Sequence, residues 1–460
     1  MTPWEGASEH GMNFAVCENY CSLTEKNSTS IMTAKFGARR ERKITVQKTI
    51  VNGVSWYDQH GRAVNAHGAC ILKENSRYYL FGEYKTDDEN KYIGFSCYST
   101  ENFSDWHFEG LALGSQESGL LGPERIGERV KVLHCAASGR YVMLMHTDDL
   151  RYNDPCIGLA VGERIDGPFK MVGPLMYQGQ PIRRWDMGTF VDEDGTAYLL
   201  THEGDIYRLS EDYMQAVELV AKDIAPGGES PACFKRNGTY FMLFSHKTSW
   251  ERNDNYYLTA QDLHGPWTHR GLFCPEGTLT FNSQCSFVLD DNGKLIYVGD
   301  RWSFPRQASA ATLVMLPIET EGDAMRISAY KAAWLPDSGQ TVALTVQHAL
   351  RFRTNRKEAC CTVPFSGRRV MLFGCTDCCG GYGNIVIKNT QGQIVHQACV
   401  DFYSLVPDAG VKYVSPWLPK DSYTLEISAC GCGGEWFKKD GTRFGSKDAY
   451  VDVTGWSAVE

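Results

Sequence analysis

The stretch Gly195-Thr196-Ala197-Tyr198-Leu199-Leu200 joins a turn to an apolar strand, and this pattern recurs along the chain. Its copies lie at intervals of roughly 40 to 65 residues, the length of a four-stranded propeller blade with variable loops. The other copies are residues 76–81, 139–144, 238–243 and 293–298. Between them, short strands alternate with Gly, Asn and Asp turns, and helical periodicity is almost absent. The repeat predicts an all-β fold that begins with a five-bladed β-propeller.

The pattern changes after about residue 335, where cysteines become frequent and strands are separated by Gly-rich turns. The apolar strands of this part are residues 369–373, 384–387, 423–427 and 450–453. They predict a small, jelly-roll-like β-sandwich. We therefore expect a poorly ordered leader over residues 1–44, a five-bladed β-propeller domain over 45–338 and a sandwich over 339–460.

Composition excludes several classes of protein. The formal net charge is -9, with Lys+Arg 46 against Asp+Glu 55, which disfavours nucleic acid as a partner. No apolar run approaches the roughly 18 residues of a membrane span, and residues 1–43 contain no signal-peptide core. We expect a cytoplasmic protein for the chain as written, or an extracellular one if the natural start differs. Aromatic residues at 12% suit stacking on sugar rings.

The cysteines are read as reduced thiols. Seventeen is an odd number, and adjacent pairs such as Cys360-Cys361 fit a disulfide framework poorly. Cys375-x-x-Cys378 with Cys430-x-Cys432 resembles a zinc site, but the second half lacks the usual spacer and no histidine is suitably placed. We expect no metal among the site residues.

A polar residue begins the strand that precedes each copy of the repeat. The first strand of a propeller blade lines the central channel, so these residues are expected to converge on one axial pocket. They are His67, Glu128, Asp186, Glu229 and Gln284.

Three carboxylates in one pocket cannot all stay ionised, because burial and like charges raise at least one pKa. Glu229 is the best candidate for the acid, since Gly227 and Gly228 allow a ligand to approach the backbone and Pro231 stiffens the turn. Asp186 would hold the pKa and orientation of Glu229. An acid facing a water-holding partner is what inverting glycoside hydrolysis requires. We find no serine-hydrolase elbow, zinc-protease motif, P-loop or dinucleotide fingerprint.

Several short motifs together resemble a known family. They are Asn65-Ala66-His67-Gly68, Phe81-Gly82-Glu83, Glu128-Arg129-Val130-Lys131-Val132, Met145-His146-Thr147-Asp148-Asp149, Asp186-Met187-Gly188-Thr189-Phe190, Glu229-Ser230-Pro231-Ala232, Phe281-Asn282-Ser283-Gln284 and Gly299-Asp300-Arg301-Trp302. Between residues 56 and 302 the chain is similar to glycoside hydrolase family forty-three, and most similar to its exo-β-1,3-galactanase branch.

The resemblance implies a role for each matching residue. Glu229 would be the general acid and Asp186 the residue that tunes its pKa. The first-blade aspartate that serves most of the family as general base is missing here, because the matching segment contains His67 and no carboxylate. In the galactanase branch the water is handled by the residue matching Gln284 or by that matching Glu128, and both stay open at this point.

The resemblance also implies a substrate-binding set. Glu83 would bind sugar hydroxyls, and aromatic side chains would form walls for an apolar sugar face. The predicted substrate-binding residues are Glu83, His67, Asp149, Tyr152, Trp250, Arg301 and Trp302. No cofactor is required, although the family allows a structural calcium ion. The C-terminal part resembles carbohydrate-binding sandwiches, with Tyr382, Trp417 and Trp436 as candidate ligand aromatics.

The sequence therefore favours an inverting exo-glycosidase that releases galactose from β-1,3-galactan or arabinogalactan-type chains, with an oligo- or polysaccharide as partner. One alternative is an α-L-arabinofuranosidase or β-xylosidase of the same family. Another is a sugar-binding propeller without catalysis.

Overall fold

Antiparallel hairpins dominate the structure, a computed structural model that describes residues 48–438 and 440–460. Five sheets follow one another through the first part of the chain, and two more sheets follow them. Helical structure in the described residues is limited to single turns at Gly119–Leu121, His202–Gly204 and Leu279–Asn282. The all-β prediction is confirmed. The predicted leader, residues 1–44, lies outside the described residues.

Each of the five N-terminal sheets contains one inner strand that is marked by a predicted polar residue. The polar residue lies either in this strand or directly before it. The first sheet contains His67–Glu74, Arg77–Glu83, Gly94–Thr100 and His107–Gly114. The second contains Arg125–Cys135, Arg140–Asp149, Cys156–Gly162 and Lys170–Pro174. The third contains Met187–Val191, Ala197–Thr201, Ile206–Leu209, Ala216–Ala221, Met176–Tyr177 and Gln180–Pro181. The fourth contains Gly228–Arg236, Thr239–His246, Tyr256–Ala260 and Thr268–Leu272, and the fifth Gln284–Asp291, Lys294–Arg301 and Thr312–Pro317.

Tight turns explain why these strands pair with their neighbours. In the fourth sheet the first hairpin turns through Asn237 and Gly238, whose φ angles are 50° and 81°. In the fifth sheet Asn292 and Gly293 have φ angles of 56° and 83°. Two successive positive φ angles are what a type I′ turn needs, and Asn-Gly adopts them at low cost. The repeated turn signal in the sequence thus becomes a repeated hairpin.

The five sheets are joined by apolar clusters that each lie between two successive sheets. A fifth cluster joins the last sheet to the first, with Ile71 and Leu80 packed near Leu289 and Val298. The first strands of the sheets contact one another in the same cyclic order. Burial of these faces favours the arrangement by roughly 25 cal/mol per Å² of apolar surface. The inner strand of every sheet is thereby brought to one centre.

Short strands tie the two ends of this part together. Ile50–Val51 pairs with Ala333–Trp334, and Ile50 and Trp334 are buried in the cluster between the last and first sheets. A small hairpin of Glu319–Glu321 and Ala324–Arg326 follows the fifth sheet.

Two four-stranded sheets form the C-terminal part and pack face to face through one apolar core. One contains His348–Thr354, Val451–Val459, Arg369–Thr376 and Asp408–Val414. The other contains Cys360–Gly367, Asp421–Ala429, Tyr382–Asn389 and Ile394–Asp401. A separate hairpin pairs Glu435–Phe437 with Arg443–Gly445. We call the two larger sheets the C-terminal sheets.

Two further observations bear on the sequence predictions. Within residues 48–438 and 440–460, no disulfide joins the cysteines. No helix of the described chain is long and apolar enough to cross a membrane.

Candidate active site

Three of the five predicted polar residues, His67, Glu128 and Glu229, lie where the inner strands bulge. A β-bulge redirects the side chains beside it, and here the register of the first strand shifts just after the polar residue. The residue that follows has a positive φ, and the pairs are His67-Gly68 (60°), Glu128-Arg129 (54°) and Glu229-Ser230 (57°). Gly68 is required here, because a Cβ atom would lie 2.1 Å from Oε1 of Glu83.

Arg129 is the centre of the site. Its Nε lies 3.2 Å from Oδ1 of Asp186, and its Nη2 donates to Oε1 of Gln284 at 2.8 Å. Its backbone N–H donates to Oε1 of Glu83 at 2.8 Å, and its guanidinium lies 5.5 Å from the ring centroid of Trp302. Arg129 is buried, and such a cation needs this number of partners to offset its desolvation. One residue of the second sheet therefore connects residues from the first, third and fifth sheets.

Glu229 has the properties of a general acid. It is half-buried, and its Oε1 accepts a hydrogen bond from Nε2 of Gln284 at 2.9 Å. Burial, together with the charge of Asp186, raises the pKa of Glu229 to about 8. Asp186 is fixed by Ser230, whose backbone N–H and hydroxyl donate to Oδ2 at 3.1 and 2.9 Å. Glu229 can therefore carry a proton at neutral pH and release it to a bound molecule.

The Gln284 amide is held rigidly. Its Nε2 donates to Glu229 and, at 2.9 Å, to Oγ of Ser245. Its Oε1 accepts from Arg129 and from the indole N–H of Trp302, both at 2.8 Å. A side-chain amide has two N–H donors and two acceptor lone pairs, so all four are used.

Glu128 is surrounded by donors. Its Oε1 accepts from Asn90 and from the hydroxyl of Tyr152, both at 2.8 Å, and lies 3.4 Å from Nζ of Lys85. Its Oε2 lies 3.3 Å from Nδ1 of His146. Although burial opposes the shift, Lys85 and His146 hold the pKa of Glu128 well below its usual value. Glu128 is therefore held in its carboxylate form at neutral pH.

His146 pairs with acids on both sides, since its Nε2 lies 3.3 Å from Oδ2 of Asp148. Against the effect of burial, Asp148 and Glu128 raise the pKa of His146 to about 9. Oxygen atoms of Glu128 and Asp186 and a ring nitrogen of His146 lie within 4.8 Å of one another, the one such group with metal-ligand potential among the described residues. Both ring nitrogens of His146 already face carboxylate oxygens at 3.3 Å, so neither is left free to ligate a metal ion.

The surroundings of His67 do not fit a calcium ion either. Its Nε2 hydrogen-bonds the carbonyl of Gln307 at 2.9 Å, and its Nδ1 lies 3.8 Å from Asp300. Asp300 also lies 3.8 Å from Nη1 of Arg129, and the ammonium of Lys131 is buried nearby. Arg129 and Lys131 already balance the negative charge of Asp300, so this carboxylate does not need a calcium ion as its counter-charge.

Of the other predicted substrate-binding residues, four lie around the carboxylates. Glu83 pairs with Lys85 at 2.7 Å, and Tyr152 contacts Glu128. Trp250 and Trp302 meet edge to face with centroids 5.0 Å apart. Trp302 is buried and Trp250 half-buried.

Asp149 and Arg301 make contacts elsewhere. Asp149 accepts hydrogen bonds from the backbone N–H groups of Arg151 and Asn153, which fixes its own loop. Arg301 donates to the carbonyl of Phe281 and lies 5.0 Å from the ring centroid of Tyr330. These contacts place both side chains outside the Arg129 network.

The family model for glycosyl hydrolases family 43 matches residues 67–284, the segment that holds all four candidate catalytic residues. A protein assigned as an exo-β-1,3-galactanase, from Bifidobacterium bifidum s17, is 36% identical, with a TM-score of 0.57 over 61% of this chain and 97% of that chain. The chain belongs to glycosyl hydrolases family 43. It is a glycosidase, and the alternative of a sugar-binding propeller without catalysis is wrong.

Two other solved structures resemble this family 43 glycosidase. A family 43 β-1,3-galactosidase with galactodeoxynojirimycin is 26% identical, with a TM-score of 0.55 over 61% of this chain and 99% of that chain. An exo-β-1,3-galactanase from Phanerochaete chrysosporium, with β-1,3-galactotriose, is 23% identical, with a TM-score of 0.63 over 89% of this chain and 99% of that chain. At 23% identity, this similarity shows that the two proteins share a fold. A comparison with curated proteins found no significant match.

Several residues of this family 43 site were missed by the sequence reasoning. His146 and Asp148 are two positions apart on the strand that pairs with the Glu128 strand. Side chains at positions i and i+2 of a strand lie on the same face, so the sequence could have placed both residues beside Glu128. Arg129 was treated only as a neighbour of Glu128, and the bulge that turns it inward has no clear sequence signal. Trp185 is 37% exposed and stacks on His202 with centroids 3.6 Å apart, next to Asp186.

Proposed function

We propose that this glycosidase is an inverting exo-enzyme that releases galactose from β-1,3-galactan or arabinogalactan-type chains. The observation that carries the proposal is the pairing of Glu229, an acid with a pKa of about 8, with a neutral amide instead of a second carboxylate. The similarity to proteins described as an exo-β-1,3-galactanase and a β-1,3-galactosidase supports galactose as the sugar.

In this proposal Glu229 protonates the departing glycosidic oxygen. Gln284 donates to Oε1 of Glu229, so the proton is carried by the other oxygen, Oε2. Asp186 keeps the proton on Glu229 in the free enzyme through its negative charge. Once the proton has left, Arg129 lies close enough to stabilise the carboxylate that forms.

We assign the water to Glu128. The Oε1 lone pairs of Gln284 are both occupied, one by the Arg129 cation, so the amide has no acceptor left for a water proton. Within residues 48–438 and 440–460, Oε2 of Glu128 forms one ion pair, with His146 at 3.3 Å. It can accept a hydrogen bond from the water and take its proton as the bond to the anomeric carbon forms. Inversion needs about 6.5 to 9.5 Å between the two carboxyl groups, so that water fits between them.

We also propose a domain organisation for this glycosidase. The cyclic contacts of the first strands and the cluster between the last and first sheets support a five-bladed β-propeller over residues 45–338. The shared core of the C-terminal sheets supports a β-sandwich over residues 339–460. Of its candidate ligand aromatics, Tyr382 and Trp436 are buried, whereas Trp417 is 49% exposed.

The direct test is product analysis with β-1,3-galacto-oligosaccharides, alongside arabinofuranosides and xylosides. We expect free galactose from the non-reducing end, and proton NMR of the first product should show the inverted anomer. Cleavage of only an arabinoside or xyloside would leave the acid assignment intact and overturn the galactose specificity. Initial retention of the anomeric configuration would overturn the assigned roles of Glu229 and Glu128.

A further inference from the structure

A second cavity lies beside the candidate active site, between the fifth sheet and the C-terminal sheets. Its volume is about 170 Å³, and the four candidate catalytic residues do not line it. Trp302 lines this cavity and also donates its indole N–H to Gln284. The cavity is therefore a neighbour of the catalytic network, with Trp302 shared between them.

The charged groups that line the cavity are three cations and two acids, and one of the cations, Arg252, is paired with Glu251 at 3.6 Å. The cations are Arg252, Arg301 and Lys412, and the acids are Asp401 and Asp408. Asp408 is paired with Lys412 at 2.7 Å. Asp401 accepts a 2.7 Å hydrogen bond from a serine hydroxyl, and burial raises its pKa. Arg301 forms no ion pair within the described residues.

The positive charge of Arg301 acts on Lys412. Burial lowers the pKa of Lys412, and the positive charge of Arg301 adds to this effect, whereas Asp408 opposes it. Two cations that share a cavity of low dielectric are stabilised when an anion lies between them.

Unsatisfied polar atoms point to the same conclusion. Among the described residues, Nε of Arg252, Nε of Arg301, Oδ1 of Asn282 and the hydroxyl of Tyr413 are buried without a hydrogen-bond partner. Arg252 is 5% exposed and Tyr413 is 2% exposed. The residues that carry these atoms line the cavity, and the atoms themselves lie just beneath its surface. A buried polar atom without a partner costs about 1–3 kcal/mol, so small side-chain movements that bring these atoms to a polar occupant are favourable.

We propose that this cavity binds a uronic acid or a closely similar sugar carboxylate. The carboxylate would pair with Arg301 and Lys412. The planar guanidinium of an arginine can donate two parallel hydrogen bonds to a carboxylate, which makes the pair specific. The hydroxyls would donate to Asn282 and accept from Arg252 and Tyr413, and the Trp302 side chain would offer an apolar surface to the ring. The volume suits one monosaccharide.

The ligand can enter from solvent. Pro407 and Asp408 are exposed, and both line the cavity at the loop between two strands of the C-terminal sheets. Binding therefore needs no displacement of Trp302, and it is independent of the proposed galactose release.

Titration calorimetry on the full-length enzyme tests the proposal, with galacturonate as the probe and saturating galactose present to fill the catalytic site. We expect one galacturonate per chain, and at least a tenfold loss of affinity in Arg301→Gln and in Lys412→Met. Arg301→Lys keeps the charge and should retain part of the binding. Lys388→Met removes a half-buried cation that is paired with Glu426 and is the matched control, expected to leave the affinity unchanged.

Each other outcome would overturn the proposal. If galacturonate gives no heat in the presence of galactose, the cavity holds water alone. If sulfate binds as tightly as galacturonate, the site is a general anion site without sugar selectivity. If wild type binds galacturonate and neither cation variant weakens it, the ligand lies elsewhere. Thermal unfolding of each variant shows whether it is folded, and a saturation-transfer NMR experiment on wild type provides a readout without substitution.

Discussion

Nε2 of Gln284 lies 2.9 Å from Oε1 of Glu229 and donates a hydrogen bond to it. The same amide accepts from Arg129, which in turn lies 3.2 Å from Asp186. The orientation of the acid and its pKa are therefore linked through one chain of contacts, and substitutions along this chain should have distinguishable effects.

Glu229→Gln should lower kcat on a β-1,3-galactoside at least about 100-fold, because the leaving oxygen then receives no proton. Binding of galactose should be nearly unchanged, since the amide keeps the shape of the side chain. Steady-state kinetics and a galactose titration measure the two effects. Glu218→Gln, at a surface ion pair with Arg208, is the control and should retain full activity.

The rate should fall as pH rises through about 8, because Glu229 must be protonated to act. In Asp186→Asn the negative charge that helps to raise this pKa is absent, so the alkaline limb should move down by about one pH unit. The profile of kcat/KM against pH gives both values. An unshifted alkaline limb in Asp186→Asn would contradict the assigned source of the pKa shift.

The two candidates for the water can be separated by rescue. Glu128→Ala should lose activity, and azide should restore turnover by taking the place of the water, giving a galactosyl azide of inverted configuration. Gln284→Ala should also lose activity, through misorientation of Glu229, but azide should not restore it. Rescue of Gln284→Ala alone would transfer the water role to Gln284.

Glu229 should also reduce stability at neutral pH. Its pKa rises from 4.5 in the unfolded chain to about 8 in the folded chain, so the unfolded state releases the proton first as pH increases. The stability of wild type relative to Glu229→Gln should therefore decline between about pH 4.5 and 8. Urea unfolding of both proteins at pH 5 and pH 8 measures this, and a difference independent of pH would exclude it.

The C-terminal part of the chain should influence catalysis through Tyr403, which follows the strand Ile394–Asp401. Its hydroxyl donates to Oε2 of Glu251 at 2.6 Å, and the next residue, Arg252, donates to the carbonyl of Trp302. Tyr403→Phe should lower kcat several-fold, since Trp302 would orient Gln284 less firmly. Tyr450→Phe, at a half-buried tyrosine of the same part of the chain, is the control. Equal kcat values for the two variants would argue against this coupling.

The sequence by itself determined the all-β class, the family and the identity of the polar residues at the strand starts. These depend on local signals: turn residues such as Asn237-Gly238, alternating apolar strands, and short motifs read in order. The blade count and the domain boundaries stay predictions, as do the catalytic roles.

Only the tertiary structure decided which side chains meet. Arg129, a member of the second sheet, contacts residues of three other sheets because a bulge turns it inward, and a bulge depends on pairing between strands. Asp149 and Arg301 belong to the matching motifs, but the structure directs them to other partners. The raised pKa of Glu229 likewise comes from burial and from Asp186, which lies 43 positions away along the chain. Residues that are neighbours in the sequence determine where the strands form. Contacts and charges between different sheets determine the partners and the pKa values of the site residues.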